Sequence, residues 1–183
     1  MNLEALIVQP KRPVIFVIDT SALYHQQQFA AEDIQLATTP IIEKEMHQKG
    51  LKESLDLLIV TNKLRIIEPT PHSLEKVKIT AQELGDLPTL SEPDQQLLAL
   101  ALDLSTQDYR VVLVTDDYAI QNVAQQLGVE FKSISTSGIR EIINWETYCK
   151  ACGHKEPGST TETACPVCGT TLKRRAIHKQ HID

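Results

Sequence analysis

Val14-Ile15-Phe16-Val17-Ile18-Asp19-Thr20-Ser21 is the stretch that decides the fold. Five apolar residues in a row, four of them β-branched, leave no polar face. That is the pattern of a strand buried on both sides within a parallel sheet. The run ends at an acid followed by two hydroxyl residues, the chemistry of a helix start. A second such run, Val111 to Val114, passes through Thr115 into Asp116-Asp117. Around these two, shorter strands are expected at Leu36 to Thr38, Leu64 to Ile67 and Val129 to Ile134. Helices are expected from Thr39 to Lys49, over 51–62, from Pro71 to Leu84 ahead of Gly85, from Ser91 to Thr106, and from Asp117 to Leu127 ahead of Gly128. Strands alternating with helices imply an α/β fold, a doubly wound parallel sheet with helices on both faces. Residues 1–134 are expected to form this body. Residues 135–148 read as a linker, 149–172 as a small cysteine unit and 173–183 as a basic tail.

Composition narrows the class further. The 183 residues are 42% hydrophobic and 23% charged, near the globular average, which excludes a disordered chain. The longest apolar run is far shorter than the roughly 20 residues of a membrane span. Glu4 followed by Lys11-Arg12-Pro13 lacks the order of a secretory signal. A soluble cytoplasmic protein without membrane association is the expectation. Residues 149–183 hold six lysines and arginines against three acids, net +3, whereas the first 148 hold 12 against 21, net −9. An acidic body suits metal-gathering carboxylates, and a basic end suits contact with a polyanion. Lys173, Arg174 and Arg175 are the candidate RNA contacts, with a frayed solubilising tail as the alternative.

All four cysteines fall in two knuckles, Cys149-Lys150-Ala151-Cys152-Gly153 and Cys165-Pro166-Val167-Cys168-Gly169. Two residues between thiolates let both sulfurs face one ion, and the following glycine permits the left-handed turn. Two such knuckles predict one structural Zn in a four-sulfur ribbon that depends on metal for its folding. The closed shell leaves no position for substrate, and His154 reads as a surface residue.

The two most apolar strands both end in acid, at Asp19 and at Asp116-Asp117, and open α/β sheets place their sites beyond such strand ends. Each acid also suits a helix N-cap. Glu45 follows Ile41 and Ile42 by four and three residues and is expected on their inward face, with Glu43 on the opposite side. Asp94 precedes Leu97, Leu98 and Ala101 at helical spacing, and Ser91-Glu92-Pro93-Asp94 also fits a capping box. Carboxylates gathered in one cleft repel and hold a divalent cation, and oxygen ligands alone favour Mn or Mg. Phosphodiester cleavage follows as one reading, alongside a phosphatase or a plain binding fold.

Ile18-Asp19-Thr20-Ser21-Ala22, the helix of Glu45, Leu90-Ser91-Glu92-Pro93-Asp94 leading into Leu97, and Val114-Thr115-Asp116-Asp117 resemble the acidic motifs of PIN-domain ribonucleases. The run Asp116 to Val123 with a cysteine ribbon behind it resembles the PIN-plus-zinc-ribbon endonucleases of small-subunit rRNA 3′-end maturation. The resemblance spans residues 14 to 175 and implies a PIN-like sheet. It makes Asp19, Glu45, Asp94 and Asp116 metal ligands, with Asp117 adjacent. It further implies Mn- or Mg-dependent cleavage of single-stranded precursor rRNA. The implied partners are the pre-small subunit and a KH-domain protein. The compact form resembles archaeal members, hence a cytoplasmic setting. Two alternatives stand beside this expectation: a non-catalytic RNA-binding assembly factor, and a toxin-type PIN ribonuclease acting on tRNA or mRNA.

Overall fold

The computed structural model describes residues 12–23, 34–107, 109–135, 138–156, 160 and 162–182. Parts of the spans expected at 1–134 and 135–148 (1–11, 24–33, 108, 136–137), parts of the cysteine unit (157–159, 161), and Asp183, therefore lie outside the described residues.

The body is a five-stranded sheet in the order β3-β2-β1-β4-β5, parallel at every pairing. Its strands are β1 (Val14–Ile18), β2 (Gln35–Thr38), β3 (Leu64–Ile66), β4 (Arg110–Val114) and β5 (Glu130–Lys132). The helices are α1 (Thr20–Leu23), α2 (Pro40–Gln48), α3 (Lys52–Val60), α4 (Pro71–Leu84), α5 (Glu92–Ser105) and α6 (Tyr118–Leu127), with a 3₁₀ turn at Leu87–Thr89. β1 lies at the centre because its residues can be buried from both sides. Ile15, Val17 and Ile18 are fully enclosed, with Leu36, Leu113 and Leu97 among the side chains around them.

Local chemistry sets the helix limits. Ser91 and Asp94 form a reciprocal capping box that starts α5. Asp117 caps α6 through the amides of Ala119 and Ile120, at 2.7 and 3.2 Å. Thr70 caps α4, and Asp103 of α5 accepts from the Thr70 amide and from the hydroxyls of Thr70 and Ser73, locking α4 to α5. β5 is shorter than the strand expected from Val129 to Ile134, and the amides of Ile134 and Ser135 go to the Asp116 carboxylate instead of a ladder.

The C-terminal third departs from the expectation most. Residues 135–148 are no linker: β6 (Glu141–Cys149) occupies most of that stretch. Residues 173–183 are no frayed tail: β8 (Leu172–His181) pairs antiparallel with β6, from Glu141↔His181 to Cys149↔Leu172 with an irregularity at Asn144/Trp145. β7 (Lys155–Glu156) completes a three-stranded sheet in the order β7-β6-β8. Opposite charges hold the pairing: Arg175 and Lys155 flank Glu146, and Lys179 reaches Glu141.

This sheet packs on the body along one seam. The Arg174 guanidinium lies 4.4 Å from the centre of the Trp145 ring and donates to the Gly85 carbonyl and to Asp86, each at 2.5 Å. Asn122 of α6 exchanges two 2.8 Å hydrogen bonds with the backbone of Ile143 and donates to the other oxygen of Asp86. Burial pushes the Asp86 carboxyl up, while its bonds to Asn122 and Arg174 pull it back towards the ionised form. Among the described residues, no helix is long and apolar enough to cross a membrane.

Candidate active site and metal centre

Strand order reverses between β1 and β4, with β2 and β3 on one side and β5 on the other. Such a switch point leaves a crevice beyond the strand ends. Ile18 pairs in register with Val114, so Asp19 and the Asp116-Asp117 pair leave the sheet side by side. The N-terminus of α5 brings Asp94 to the same rim. Its carboxyl is pushed up first by burial and further by the negative charges of Asp117 and Asp19, against the bonds from Ser91. Asp94 is thus within electrostatic reach of both strand ends.

The three acids share one construction. Asp19 Oδ1 accepts from the Ser21 hydroxyl at 2.7 Å and the Ala22 amide at 2.9 Å. Asp94 Oδ2 accepts from the amide and hydroxyl of Ser91 at 2.8 and 2.7 Å. Asp117 Oδ1 takes the two amides of α6. Each acid therefore caps a helix with one oxygen and leaves the other without a hydrogen-bond partner among the described residues. Three helix N-termini, of α1, α5 and α6, also turn their positive ends to this rim.

Two expected residues sit differently. Both Asp116 oxygens face residues 134–135, accepting from the Ile134 and Ser135 amides and the Ser135 hydroxyl. The charge of Asp117 acts on Asp94. Glu45 does not point inward with Ile42 and Met46, the buried stripe of α2. It lies on the flank of that stripe and pairs with Lys49, one turn further along, at 2.5 Å.

The rim donors are hard carboxylate oxygens, half-buried at Asp19 and Asp94 and exposed at Asp117, the donor type that divalent cations such as Mg take, although the three do not all lie within 4.8 Å of one another. Among the described residues, the four cysteines are the one such group whose donor atoms all lie within 4.8 Å of one another. Cys149 and Cys168 sulfurs are 3.4 Å apart, and those of Cys152 and Cys165 are 3.5 Å apart. A tetrahedron with metal–sulfur bonds of ~2.3 Å has edges of ~3.8 Å, so this cluster fits one metal ion. The knuckles repeat each other. The Gly153 and Gly169 amides return to Cys149 and Cys165 carbonyls, and the two cysteine amides return to the carbonyls of His154 and Thr170. The Thr170 hydroxyl and then its amide hold the Cys168 thiol down, while Cys152, against its backbone bond at His154, is pushed up by burial and the neighbouring sulfurs, so the four thiols share their protons unevenly until a metal displaces them. His154 pairs with Glu156 at 2.8 Å and stays out of the cluster.

Of the three basic candidates, Lys173 is exposed and has no acidic partner among the described residues. Arg174 is spent on Asp86 and Gly85, and Arg175 on Glu146 while it stacks over Tyr148 at 4.3 Å. Sequence reasoning missed Asp86, Asn122 and Trp145. The available signal in that region was the β-prone run Ile142 to Tyr148, with Glu141 just before it and Glu146 within it to match the bases of β8.

A family model described as the PIN domain of ribonuclease matches residues 16–104, the part that carries Asp19 and Asp94. The switch-point acids and this match define the class: a PIN-type ribonuclease domain. Endoribonuclease Nob1 of Archaeoglobus fulgidus is 37% identical over 163 residues, covering 89% of this chain and 92% of that one. Endoribonuclease Nob1 of Pyrococcus abyssi is 35% identical over 141 residues, covering 77% and 84%. Ribonuclease VapC1 of Thermoplasma acidophilum is 34% identical over 161 residues, covering 88% and 78%. The chain belongs to the Nob1 family of endoribonucleases.

Proposed function

We infer that this protein is a metal-dependent endoribonuclease that cuts precursor rRNA at the 3′ end of the small-subunit RNA. The observation that carries the reading is the trio Asp19, Asp94 and Asp117, each with one oxygen fixed by a helix start and one free at the switch point. Mn or Mg is the proposed ion, because every donor is an oxygen. Held there, a divalent cation supplies charge neutralisation at a phosphodiester oxygen and lowers the pKa of a water. The chain's own part is to aim three carboxylate oxygens. Burial first, and the charges of Asp117 and Asp19 after it, raise the affinity of Asp94 for a proton, and a cation would relieve the second of these.

Asp117 takes the role first assigned to Asp116, since Asp116 is committed to residues 134–135. Glu45 belongs to the set by resemblance alone, and its partner Lys49 is an exposed, exchangeable one. Zn is the proposed ion of the four-cysteine cluster, with a structural role. Lys173 is the proposed phosphate contact of the basic segment, and Arg174 is assigned instead to holding the sheet on the body. The pre-small subunit and a KH-domain assembly factor are the proposed partners, in a cytoplasmic setting whose reducing conditions keep the thiolates free for metal. Similarity to Nob1 endoribonucleases along most of the chain favours this reading over the assembly factor and over the ribonuclease acting on tRNA or mRNA.

Asp19→Asn tests it. The amide oxygen can still cap α1, so the fold survives while Mn-dependent cleavage of an RNA spanning the rRNA 3′ end is lost. Cleavage at the wild-type rate would overturn the assignment.

A further inference from the structure

Beside the acid rim, between the start of α6 and the β6/β8 sheet, lies a cleft of about 840 Å³. We propose that this cleft takes an unstacked nucleobase of the single-stranded RNA next to the scissile phosphate, gripping it by its faces and not by its edge. This deepens the endoribonuclease reading and rests on it. The cleft is continuous with the rim: Tyr118 and Ala119, which line it, directly follow Asp117, and the Ala119 amide donates to that carboxylate.

Its walls suit a base. Tyr118, 55% exposed at the mouth, offers an aromatic ring, and Ile139 and Trp145 supply apolar surface. Arg140 carries the one cation of the lining without an acidic partner among the described residues, set where a neighbouring phosphate needs it. Glu141, the acid at the edge, is already paired with Lys179 at 2.8 Å. An aromatic ring with a guanidinium beside it is the platform on which single-stranded bases stack.

The floor decides against reading base identity. Asp86 gives its two oxygens to Arg174 and Asn122, and both ends of the Asn122 amide are taken by Asp86 and Ile143. Both donors of the Asn122 amide are spent and Asp86 only accepts, so that pair has no hydrogen left to give to a base edge. The cleft therefore distinguishes base from no base and tolerates all four. It fixes where a strand sits while leaving sequence choice to the rest of the complex.

The test uses the full-length protein and short single-stranded RNAs spanning the cut site, with an abasic ribonucleotide moved one position at a time. Binding is measured by anisotropy with the Asp19→Asn protein, and cleavage with the wild type and Mn²⁺. One abasic position beside the cut weakens binding roughly 5- to 100-fold, the range of a lost base–aromatic stack. Tyr118→Ala loses a similar factor, Tyr118→Phe retains binding, and Tyr118→Ala shows no further loss at that abasic position. All four bases there bind within a few-fold. Equal binding of intact and abasic strands at every position, or an unchanged Tyr118→Ala, overturns the cleft and leaves it to a protein segment. Discrimination among bases by a factor of 100 overturns face-only gripping. Failure of wild-type protein to cut any intact RNA with Mn²⁺ strikes the endoribonuclease reading separately, since the binding series does not need cleavage.

Discussion

Replacing Gly85 by alanine should loosen the C-terminal sheet from the nuclease body, and Gly128 supplies the control. Both glycines end a helix in the left-handed conformation, at φ +75° and +73°. A Cβ at either position costs about 1–2 kcal/mol for that backbone alone. At Gly128 nothing lies within 4 Å of the added atom, so the cost stops there. At Gly85 the new Cβ would stand 2.5 Å from the carbonyl oxygen of Trp145 and 3.0 Å from its Cβ. A backbone carbonyl in a paired strand cannot swing aside, so β6 must lift. Overpacking of this kind adds about 1–3 kcal/mol, for a total of about 2–5 kcal/mol. Lifting also strains the Asn122–Ile143 pair and the Arg174 bonds to Gly85 and Asp86. Urea or thermal unfolding of the two variants gives the comparison, at about 2–4 °C per kcal/mol for a chain of this size. Trp145 is the sole tryptophan, so its emission reports the seam directly. Equal losses in Gly85→Ala and Gly128→Ala, with Trp145 emission unchanged in both, would refute the steric account of how the sheet is seated.

Three further outcomes follow from the same geometry. Asp94→Asn should keep most of the stability, because an amide oxygen still serves the capping box, whereas Asp94→Ala loses about 1 kcal/mol in addition to activity; denaturation curves of the pair separate cap from catalysis. Stripping metal with a strong chelator should release both knuckles together and shift Trp145 emission, while the helical circular dichroism of the body persists; an unmoved Trp145 would mean the seam holds without the metal. Glu146, bonded first by Arg175 and then by Lys155, and Glu141, bonded by Lys179, both titrate below the ordinary 4.5. A lowered folded value adds stability that is complete above 4.5 and fades as pH falls through the lowered one. The β6/β8 sheet should therefore weaken on acidification in that window, and less so in Arg175→Gln, where part of the dependence is already gone; identical pH profiles would discount these pairs.

What could be read from the chain was local. Two apolar runs ending in acid announced β1 and β4, and Pro71, Gly85, Ser91 and Gly128 marked helix limits that the structure keeps within a residue or so. Even the shared use of Asp94, in a capping box and at the rim, followed from its spacing. The misread parts depend on distant partners. β8 looks like a solvated basic tail until Glu141 and Glu146 are known to lie across from it, and that register spans the whole ribbon. Asp116 and Asp117 are neighbours of one chemistry, and nothing in their spacing shows that the amides of Ile134 and Ser135 bond the first while those of Ala119 and Ile120 bond the second. Glu45 has helical spacing suited to an inward face, yet Ile42 and Met46 fill that face and a lysine one turn on claims the carboxylate.

The divided duty of the three rim carboxylates has an energetic consequence. On the proposed reading, an ion at the crevice would meet carboxylates already held by the starts of α1, α5 and α6, so little torsional freedom would be left for capture to remove. Preorganisation of this sort would strengthen capture, because less freedom is lost when the ion is held. It also means that an asparagine replacement silences the centre while leaving the scaffold intact, an easy route by which a lineage could keep the shape and abandon the chemistry.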